Sequence, residues 1–238
     1  MIVNADDFGK STSVNRAIVK CFQYGLISRT TIMVNMPYFD EAVELSKKYG
    51  FFDKVGLHLN LDEGLPLSEK MRENKHFCRD GIFIDGIFNN SSKKIWIEDH
   101  DMLCVKSEIE AQMRKYVDVG FTLFHIDSHR FVHNNISVLI PTIKLAKKYG
   151  FVSMRIMELS INDSVIKRIY KVLLNRVIKL NFSTSDQFVQ NIINYIPDKG
   201  TAEYMSHPDY INGDLVDIIS WNPIRTVPFI NNQRLISL

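Results

Sequence analysis

The sequence predicts an α/β fold, a single (βα) barrel of about seven parallel strands. Short β-rich runs alternate with longer helical patterns along most of the chain, which is typical of a parallel sheet whose strands are joined by helices. The 238 residues fit one α/β barrel or one large sandwich. Because about seven strand–helix units fall in one domain, 1–238, we expect a distorted TIM-like barrel that is closed or nearly closed.

The first half of the chain begins with an apolar strand at residues 2–5. An amphipathic helix follows at 13–24, with Ser13 as its N-cap and Gly25 as the residue that ends it. The next predicted elements are, in order, a strand at 30–35, a helix at 38–49 stopped by Gly50, and a strand at 55–61.

Residues 68–97 interrupt this alternation. Their turn-forming residues are Gly81, Gly86, Asn89, Asn90, Ser91 and Ser92. Such residues favour loops over buried elements. We therefore expect an inserted surface loop or hairpin here.

The alternation resumes beyond the insertion. The predicted elements are a helix at 102–119, a strand at 121–126, a helix at 138–149 and a strand at 152–156. Residues 162–195 are predicted to be mainly helical, and their basic residues are expected on a solvated face rather than against a ligand: Lys167, Arg168, Lys171, Arg176 and Lys179. The last strands are predicted at 202–206 and 234–237.

Composition argues against several classes of partner. The net charge of +2 is spread along the chain, without the basic stripe typical of nucleic-acid binding. The chain has three widely spaced cysteines, Cys21, Cys78 and Cys104. An odd number without close pairs argues against a disulfide framework, so we expect reduced thiols and a cytoplasmic location. No leader segment stands out, and no apolar stretch approaches the ~20 residues of a membrane helix. We expect no nucleic-acid or membrane partner, and a homodimer is a possible assembly.

Two adjacent carboxylates, Asp6 and Asp7, end the first predicted strand. Side chains alternate along a strand, so both can reach one pocket only where the backbone turns, and Gly9 supplies a turn. Ionising both groups is costly, and a bound cation removes that cost while one carboxylate stays free as a base. The pair therefore predicts a metal-assisted site.

Histidines fall at the ends of other predicted strands, where barrels of this kind place their chemistry. They are His58 near the end of the third strand, His125, His129 and His133 with Asp127 after the strand at 121–126, and His207 after the strand at 202–206. One carboxylate and two imidazoles make a divalent metal site that leaves positions open for water and substrate.

Six motifs along the chain resemble those of the YdjC-like carbohydrate deacetylase family, to which chitooligosaccharide deacetylase belongs. They are NADDFG at 4–9, SRTTIMVN at 28–35, GLHLNLDEGLPL at 56–67, HIDSHRFVH at 125–133, SHPD at 206–209 and RLIS at 234–237. The resemblance implies a barrel of the sugar deacetylase superfamily. It also implies hydrolysis of N-acetyl groups from amino sugars such as diacetylchitobiose, with release of acetate.

The resemblance also implies residue roles. Asp7, His58 and His129 would hold one divalent metal ion, Zn²⁺ or Mg²⁺, with Mn²⁺, Co²⁺ and Ni²⁺ as alternatives. Asp6 would act as general base and His207 as general acid. We expect the remaining candidates to orient the ligands (His125 and Asp127) or to contact sugar or acetate, with structural roles as the alternative (His133 and Arg155).

The chain departs from the family pattern at two places. Phe131 stands where the family usually has a histidine, and the segment 183–189, expected to be helical, lacks a glycine after Phe188.

Two other functions stay open. One is another metal-dependent barrel hydrolase such as a phosphoesterase, which would usually need more cationic or bimetallic ligation. The other is a carbohydrate-binding or regulatory protein with a decayed site, against which the five retained metal and acid–base candidates argue.

The two-histidine spacing of His125 and His129 also occurs in zinc metalloprotease helices. That motif needs a glutamate directly after the first histidine, and this chain has Ile126 there. We therefore do not expect a metalloprotease.

Overall fold

The computed structural model describes residues 1–90, 99–160, 162–190, 200–219 and 222–223. The strands within these ranges are β1 (Ile2–Phe8), β2 (Arg29–Ile32), β3 (Val55–Leu59), β4 (Cys78–Arg79), β5 (Ile82–Phe83), β6 (His125–Ser128), β7 (Ser153–Met154), β8 (Gln187–Val189), β9 (Ala202–Ser206), β10 (Pro208–Ile211), β11 (Asp214–Asp217) and β12 (Asn222–Pro223). The α-helices are α1 (Thr12–Gln23), α2 (Phe39–Lys48), α3 (Glu69–Arg72), α4 (Ile87–Asn90), α5 (Asp99–Val119), α6 (Ile136–Lys148) and α7 (Val165–Asn181). Two 3₁₀ segments lie at Phe52–Lys54 and His129–Asn134.

A parallel sheet of seven strands forms the centre of the molecule, in the order β7-β6-β3-β2-β1-β9-β8. All of its ladders are parallel, which confirms the α/β class. The sheet curls as a TIM-like barrel does but does not close fully. Ser183 forms an isolated bridge with Ser153 at the β7 edge, while β8, a few residues later, forms the opposite edge. One short segment thus contacts both edges of the curled sheet.

Burial explains why these strands form. Every residue of β1, β2, β3, β6 and β9 is buried, as expected for parallel strands with both faces covered. Helix α1 buries an apolar face against the sheet, and its N-cap is Ser11 rather than the predicted Ser13, since the Ser11 side chain accepts from the Val14 N–H. Ser13 instead donates to Asp209 on β10. None of the helices described is long and apolar enough to cross a membrane.

The strand predicted at 121–126 begins later than expected, at His125. The preceding aromatic residues pack sideways instead of joining the ladder. Phe121 stacks on Tyr116 of α5 at 5.0 Å and on Phe52 at 4.6 Å between ring centroids. His125 therefore lies at the amino end of β6, and only the residues after it approach the carboxyl end.

The prediction that 162–195 is mainly helical was wrong for 182–190, and 191–195 lie outside the described residues. Helix α7 ends at Asn181, and Gln187–Val189 forms β8, whose residues pair with β9. The expectation of a solvated Lys171 was also wrong. Lys171 is only 8% exposed, because its ammonium donates to the Glu158 carbonyl and to Asp163. The predicted strand at 234–237 lies outside the described residues, so the seventh strand of the sheet is one that the sequence analysis missed.

The insertion at 68–97 contains the expected hairpin, formed by β4 and β5. Its described part, 68–90, is more than surface, however. Met71, Phe77, Phe83 and Phe88 are buried, and the rings of Phe77 and Phe88 stack at 5.1 Å. Residues 91–97 lie outside the described ranges.

Candidate metal centre and active site

The backbone at the end of β1 turns at Asp7 itself. Asp7 has φ of +68°, in the left-handed region that non-glycine residues rarely adopt, and the β1–β2 register is irregular between Ala5 and Phe8. Gly9 also has a positive φ, +91°, and a Cβ there would lie 3.2 Å from the Met33 carbonyl oxygen. The predicted turn is therefore present, but it begins two residues before Gly9.

The three predicted metal ligands lie together at the carboxyl ends of β1, β3 and β6. Asp7 Oδ1 lies 2.9 Å from His129 Nδ1 and 3.2 Å from His58 Nε2. All three side chains are buried, and each offers a ligand atom within 4.8 Å of the others. Burial raises the pKa of Asp7, but the contacts with His129 and His58 outweigh it and hold the pKa well below its ordinary value. An ionised Asp7 facing two imidazoles suits a divalent cation.

His58 is oriented by Asp127. Its Nδ1 lies 2.7 Å from Asp127 Oδ1, which holds the Nδ1 proton and turns Nε2 towards Asp7. Nε2 is buried and has no hydrogen-bond partner among the described residues. Burial lowers the pKa of His58, but Asp127 outweighs it and raises the pKa to about 10. A cation at Nε2 would replace a proton there, which neutralises the ring charge and satisfies the unpartnered atom.

Asp6 has different partners from Asp7. Arg155 donates to both of its oxygens, at 2.6 and 2.8 Å, and Asn4 Nδ2 donates to Oδ1 at 2.7 Å. Burial raises the pKa of Asp6, but Arg155 outweighs it and holds the pKa far below its ordinary value. Asp6 is therefore ionised and fixed in orientation.

Arg155 is fully buried and binds three carboxylates, because it also contacts Asp127 at 2.7 Å and Glu203 at 2.6 Å. Its contacts are thus with the groups that hold the site together. Contact with sugar or acetate, one of the two alternatives expected from the sequence, stays a prediction.

His207 faces Asp6 across a small pocket. Its Nε2 lies 3.9 Å from Asp6 Oδ2, and its backbone N–H donates to Asp217 at 3.0 Å. The pocket has a volume of about 110 Å³ and is lined by Asp6, Asp7, Lys10, Ser11, Val14, His207, Pro208, Asp209 and Ile218. The candidate base, the candidate acid and one candidate metal ligand therefore share one small space.

Two further histidines lie away from this pocket. His125 lies between Arg29, 3.0 Å from its Nε2, and Ser153, 3.0 Å from its Nδ1. Burial, followed by the Arg29 charge, holds its pKa well below the ordinary value. His133 is fully buried and bonds to Ser128 Oγ through Nδ1. Burial, followed by the charge of Arg155, lowers its pKa to about 3, so both rings are neutral.

Two other groups of potential ligands are less suited to a cation. Asp6, His58 and Asp127 form one, and His125, Asp127 and Glu203 the other. The carboxylates of both groups already pair with arginines. Arg155 pairs with Asp6, Asp127 and Glu203. Arg29 also pairs with Glu203, at 2.8 Å. A metal cation at either group would compete with these arginines for the carboxylates and would be repelled by the guanidinium charges.

The sequence analysis did not identify four charged residues near the site: Arg29, Glu203, Lys10 and Glu63. Glu203 on β9 is buried between Arg29 and Arg155, and Lys10 forms an ion pair of 3.0 Å with Glu63 at the rim. Burial raises the pKa of Glu203, but Arg29 and then Arg155 lower it to about 2. The sequence does contain a signal for two of them. Arg29 and Glu203 lie inside the short buried strands RTTI and AEYMS, and a buried charged residue needs a partner of opposite charge.

Phe131 occupies the position where a histidine is usual in the family that the sequence resembles. Arg130 and Phe131 both have left-handed backbone, with φ of +48° and +54°. The Phe131 ring packs on Phe188 of β8, with centroids 5.9 Å apart, and Phe188 in turn lies against the Arg155 guanidinium at 4.9 Å. Phe131 thus adds an aromatic contact beside the site.

Comparison with known proteins identifies the family of the chain. The profile of the family described as "YdjC-like protein" matches residues 1–231. A carbohydrate deacetylase of Thermoanaerobacter pseudethanolicus is 33% identical over 95% of this chain and 88% of its own. The same name belongs to a Brevibacillus brevis protein with 33% identity and the same coverage.

One solved structure is similar in fold. It is a protein from Enterococcus faecalis V583 described as a cellobiose-phosphate cleavage protein, with a TM-score of 0.67 over 89% of this chain and 81% of that one. Its sequence identity of 24% supports the fold alone. From the profile match and the two relatives, the chain belongs to the YdjC-like family.

Proposed function

We propose that this protein is a metal-dependent carbohydrate N-deacetylase, a hydrolase that removes acetyl groups from amino sugars such as diacetylchitobiose. The relatives named carbohydrate deacetylase support the sugar deacetylase activity. One observation carries the rest of the proposal. Asp7, His58 and His129 converge with one potential ligand atom each within 4.8 Å of the others, and Asp6 and His207 line the same pocket. The barrel is, on this proposal, of the sugar deacetylase superfamily type.

Asp7, His58 and His129 would hold one divalent cation. The mixture of one carboxylate and two imidazoles suits Zn²⁺, with Mg²⁺, Mn²⁺, Co²⁺ and Ni²⁺ as alternatives. When bound, such a cation lowers the pKa of a water and polarises the acetamide carbonyl.

Asp6 acts as the general base. Arg155 and Asn4 fix its carboxylate. Asp6 is ionised throughout the neutral range, and its orientation into the pocket would let it accept the proton of the attacking water. The bonds to Arg155 also prevent the carboxylate from rotating away from the pocket.

His207 acts as the general acid. Its Nε2 lies on the other side of the pocket from Asp6, 3.9 Å from Oδ2. It gives a proton to the amine as the C–N bond breaks, because an unprotonated amine is too basic to leave. The products are acetate and a free amino sugar.

The test is acetate release from N,N′-diacetylchitobiose by metal-loaded protein, with and without chelator. We expect acetate only with metal, and none from the His58→Ala variant. Phosphate release from a sugar phosphate, with no acetate from the disaccharide, would favour the phosphoesterase alternative. Disaccharide binding without turnover would favour the decayed carbohydrate-binding protein. The cytoplasmic location stays a prediction.

A further inference from the structure

Glu63 lies next to the imidazole of His129, the candidate metal ligand whose second ring nitrogen has no aligned hydrogen bond among the described residues. Its Oε2 is 3.0 Å from His129 Nε2, on the opposite side of the ring from Nδ1, which faces Asp7. His129 Nε2 is buried and makes no aligned hydrogen bond within the described ranges. A small rotation of the Glu63 carboxylate would bring an acceptor onto the N–H axis.

The backbone of Glu63 is held by buried amides. Asn60 Oδ1 accepts from the Glu63 N–H at 3.1 Å, and Asn60 Nδ2 donates to the Glu63 carbonyl at 2.7 Å. Asn35 Nδ2 donates to the same carbonyl at 3.1 Å. These bonds connect the loop after β3 to the loop after β2, so the place of Glu63 beside His129 is fixed by the scaffold.

The Glu63 side chain is fixed as well. Lys10 Nζ lies 3.0 Å from Glu63 Oε2 and 3.4 Å from Asp7 Oδ2, so one ammonium connects Glu63 to a candidate metal ligand. Carboxylate and imidazole therefore have little freedom to separate. The same relationship is present at His58, whose Nδ1 is held by Asp127 at 2.7 Å.

We propose that Glu63 is a positioning residue for the metal centre. Its carboxylate accepts from His129 Nε2 and so keeps Nδ1 turned towards Asp7 and His58. Metal-binding histidines usually give their second nitrogen to such an acceptor, and loss of the acceptor commonly costs 10- to 100-fold in metal affinity, roughly. This inference rests on the proposed function, since it takes Asp7, His58 and His129 as the ligands.

The test is Co²⁺ affinity, measured by competition with a chelating dye, together with the visible absorption spectrum at saturation. We expect Glu63→Ala to weaken Co²⁺ binding roughly 10- to 100-fold without changing the saturated spectrum. Glu63→Gln, which keeps a carbonyl acceptor, should recover part of the loss. Glu110→Gln is the matched control, because Glu110 is as exposed as Glu63 at 25% and is paired with Lys148 on an outer helix. It should bind Co²⁺ as the wild type does.

Two results would overturn the inference. Wild-type Co²⁺ affinity in Glu63→Ala would show that His129 needs no such partner, and an altered saturated spectrum would make Glu63 a direct ligand. His58→Ala separates this failure from that of the proposed function. If His58→Ala also keeps wild-type affinity, the metal site itself is wrong. If His58→Ala loses Co²⁺ affinity while Glu63→Ala keeps it, the metal site is correct and only the role of Glu63 is wrong.

Discussion

Asp6 and Asp7 are adjacent in the chain, but their carboxylates have separate sets of partners. Asp6 is paired with Arg155 at 2.6 and 2.8 Å, whereas Asp7 lies 2.9 Å from His129 and 3.2 Å from His58. The left-handed backbone at Asp7 produces this separation, since its φ of +68° ends the regular alternation of the strand. One short turn thus supplies both a candidate base and a candidate ligand.

The two aspartates should respond differently to amidation. Asp6→Asn should keep the metal and lose roughly 10²- to 10⁴-fold in turnover, the usual yield of general acid–base catalysis. Asp7→Asn should lose both metal and turnover, because it removes the only carboxylate of the ligand set. Elemental analysis and acetate release measure the two effects. Swapped results would mean that the roles of Asp6 and Asp7 are exchanged.

His207→Ala should keep its metal and slow the hydrolysis of the acetamide severely. Its effect on an activated aryl acetate should be much smaller, because that leaving group needs no proton. Turnover of both substrates and metal content are the measurements. Equal slowing of both substrates with metal retained would assign His207 to positioning or to the oxyanion.

Arg155 should be important for stability as well as for the site. Arg155→Met leaves the buried carboxylates of Asp6, Asp127 and Glu203 without their shared cation, so we expect a loss of about 3–5 kcal/mol in the free energy of unfolding. Arg130→Met is the control, since Arg130 is partly exposed and its pairs with Asp62 and Asp85 should contribute less than about 1 kcal/mol. Urea denaturation of both variants decides. Equal losses would show that the buried network adds no stability of its own.

The sequence was sufficient to predict where the candidate ligands meet. Asp7, His58 and His129 follow or end apolar runs, and the carboxyl ends of parallel strands share one end of a barrel. The groups that hold them are harder to predict. Glu203 and Arg29 contact each other only because β9 and β2 flank β1, and that strand order is not evident from a single sequence.

Strand β8 shows a different difficulty. Residues 187–189 are too few for their periodicity to separate strand from helix, and they form a strand because β9 offers its edge to them. Phe121 likewise belongs to an aromatic run that favours a strand locally, and its packing on Tyr116 and Phe52 overrides that preference.

His133 should make the protein less stable in mild acid. Burial lowers its pKa to about 3, below the ordinary value of 6.5, so the ring is neutral when folded and takes up a proton when unfolded. Below about pH 6.5 the unfolded state binds a proton at His133 that the folded state does not, so the contribution of His133 to the free energy of unfolding should decrease as the pH decreases, by up to about 1.4 kcal/mol per pH unit. Urea denaturation at about pH 7, 6 and 5 in chelator measures the slope. His133→Asn should lack this contribution, so the slopes of wild type and variant should differ by up to about 1.4 kcal/mol per pH unit, and equal slopes would contradict the buried neutral ring.

The most direct test of the account is to titrate metal-free protein with Zn²⁺ while following acetate release from N,N′-diacetylchitobiose. On the proposal that Asp7, His58 and His129 hold one ion, activity should be absent at the start, rise in proportion to added Zn²⁺ and reach its maximum at one equivalent. Full activity in the metal-free protein would contradict a metal-dependent deacetylase, and a maximum at two equivalents would contradict the single centre.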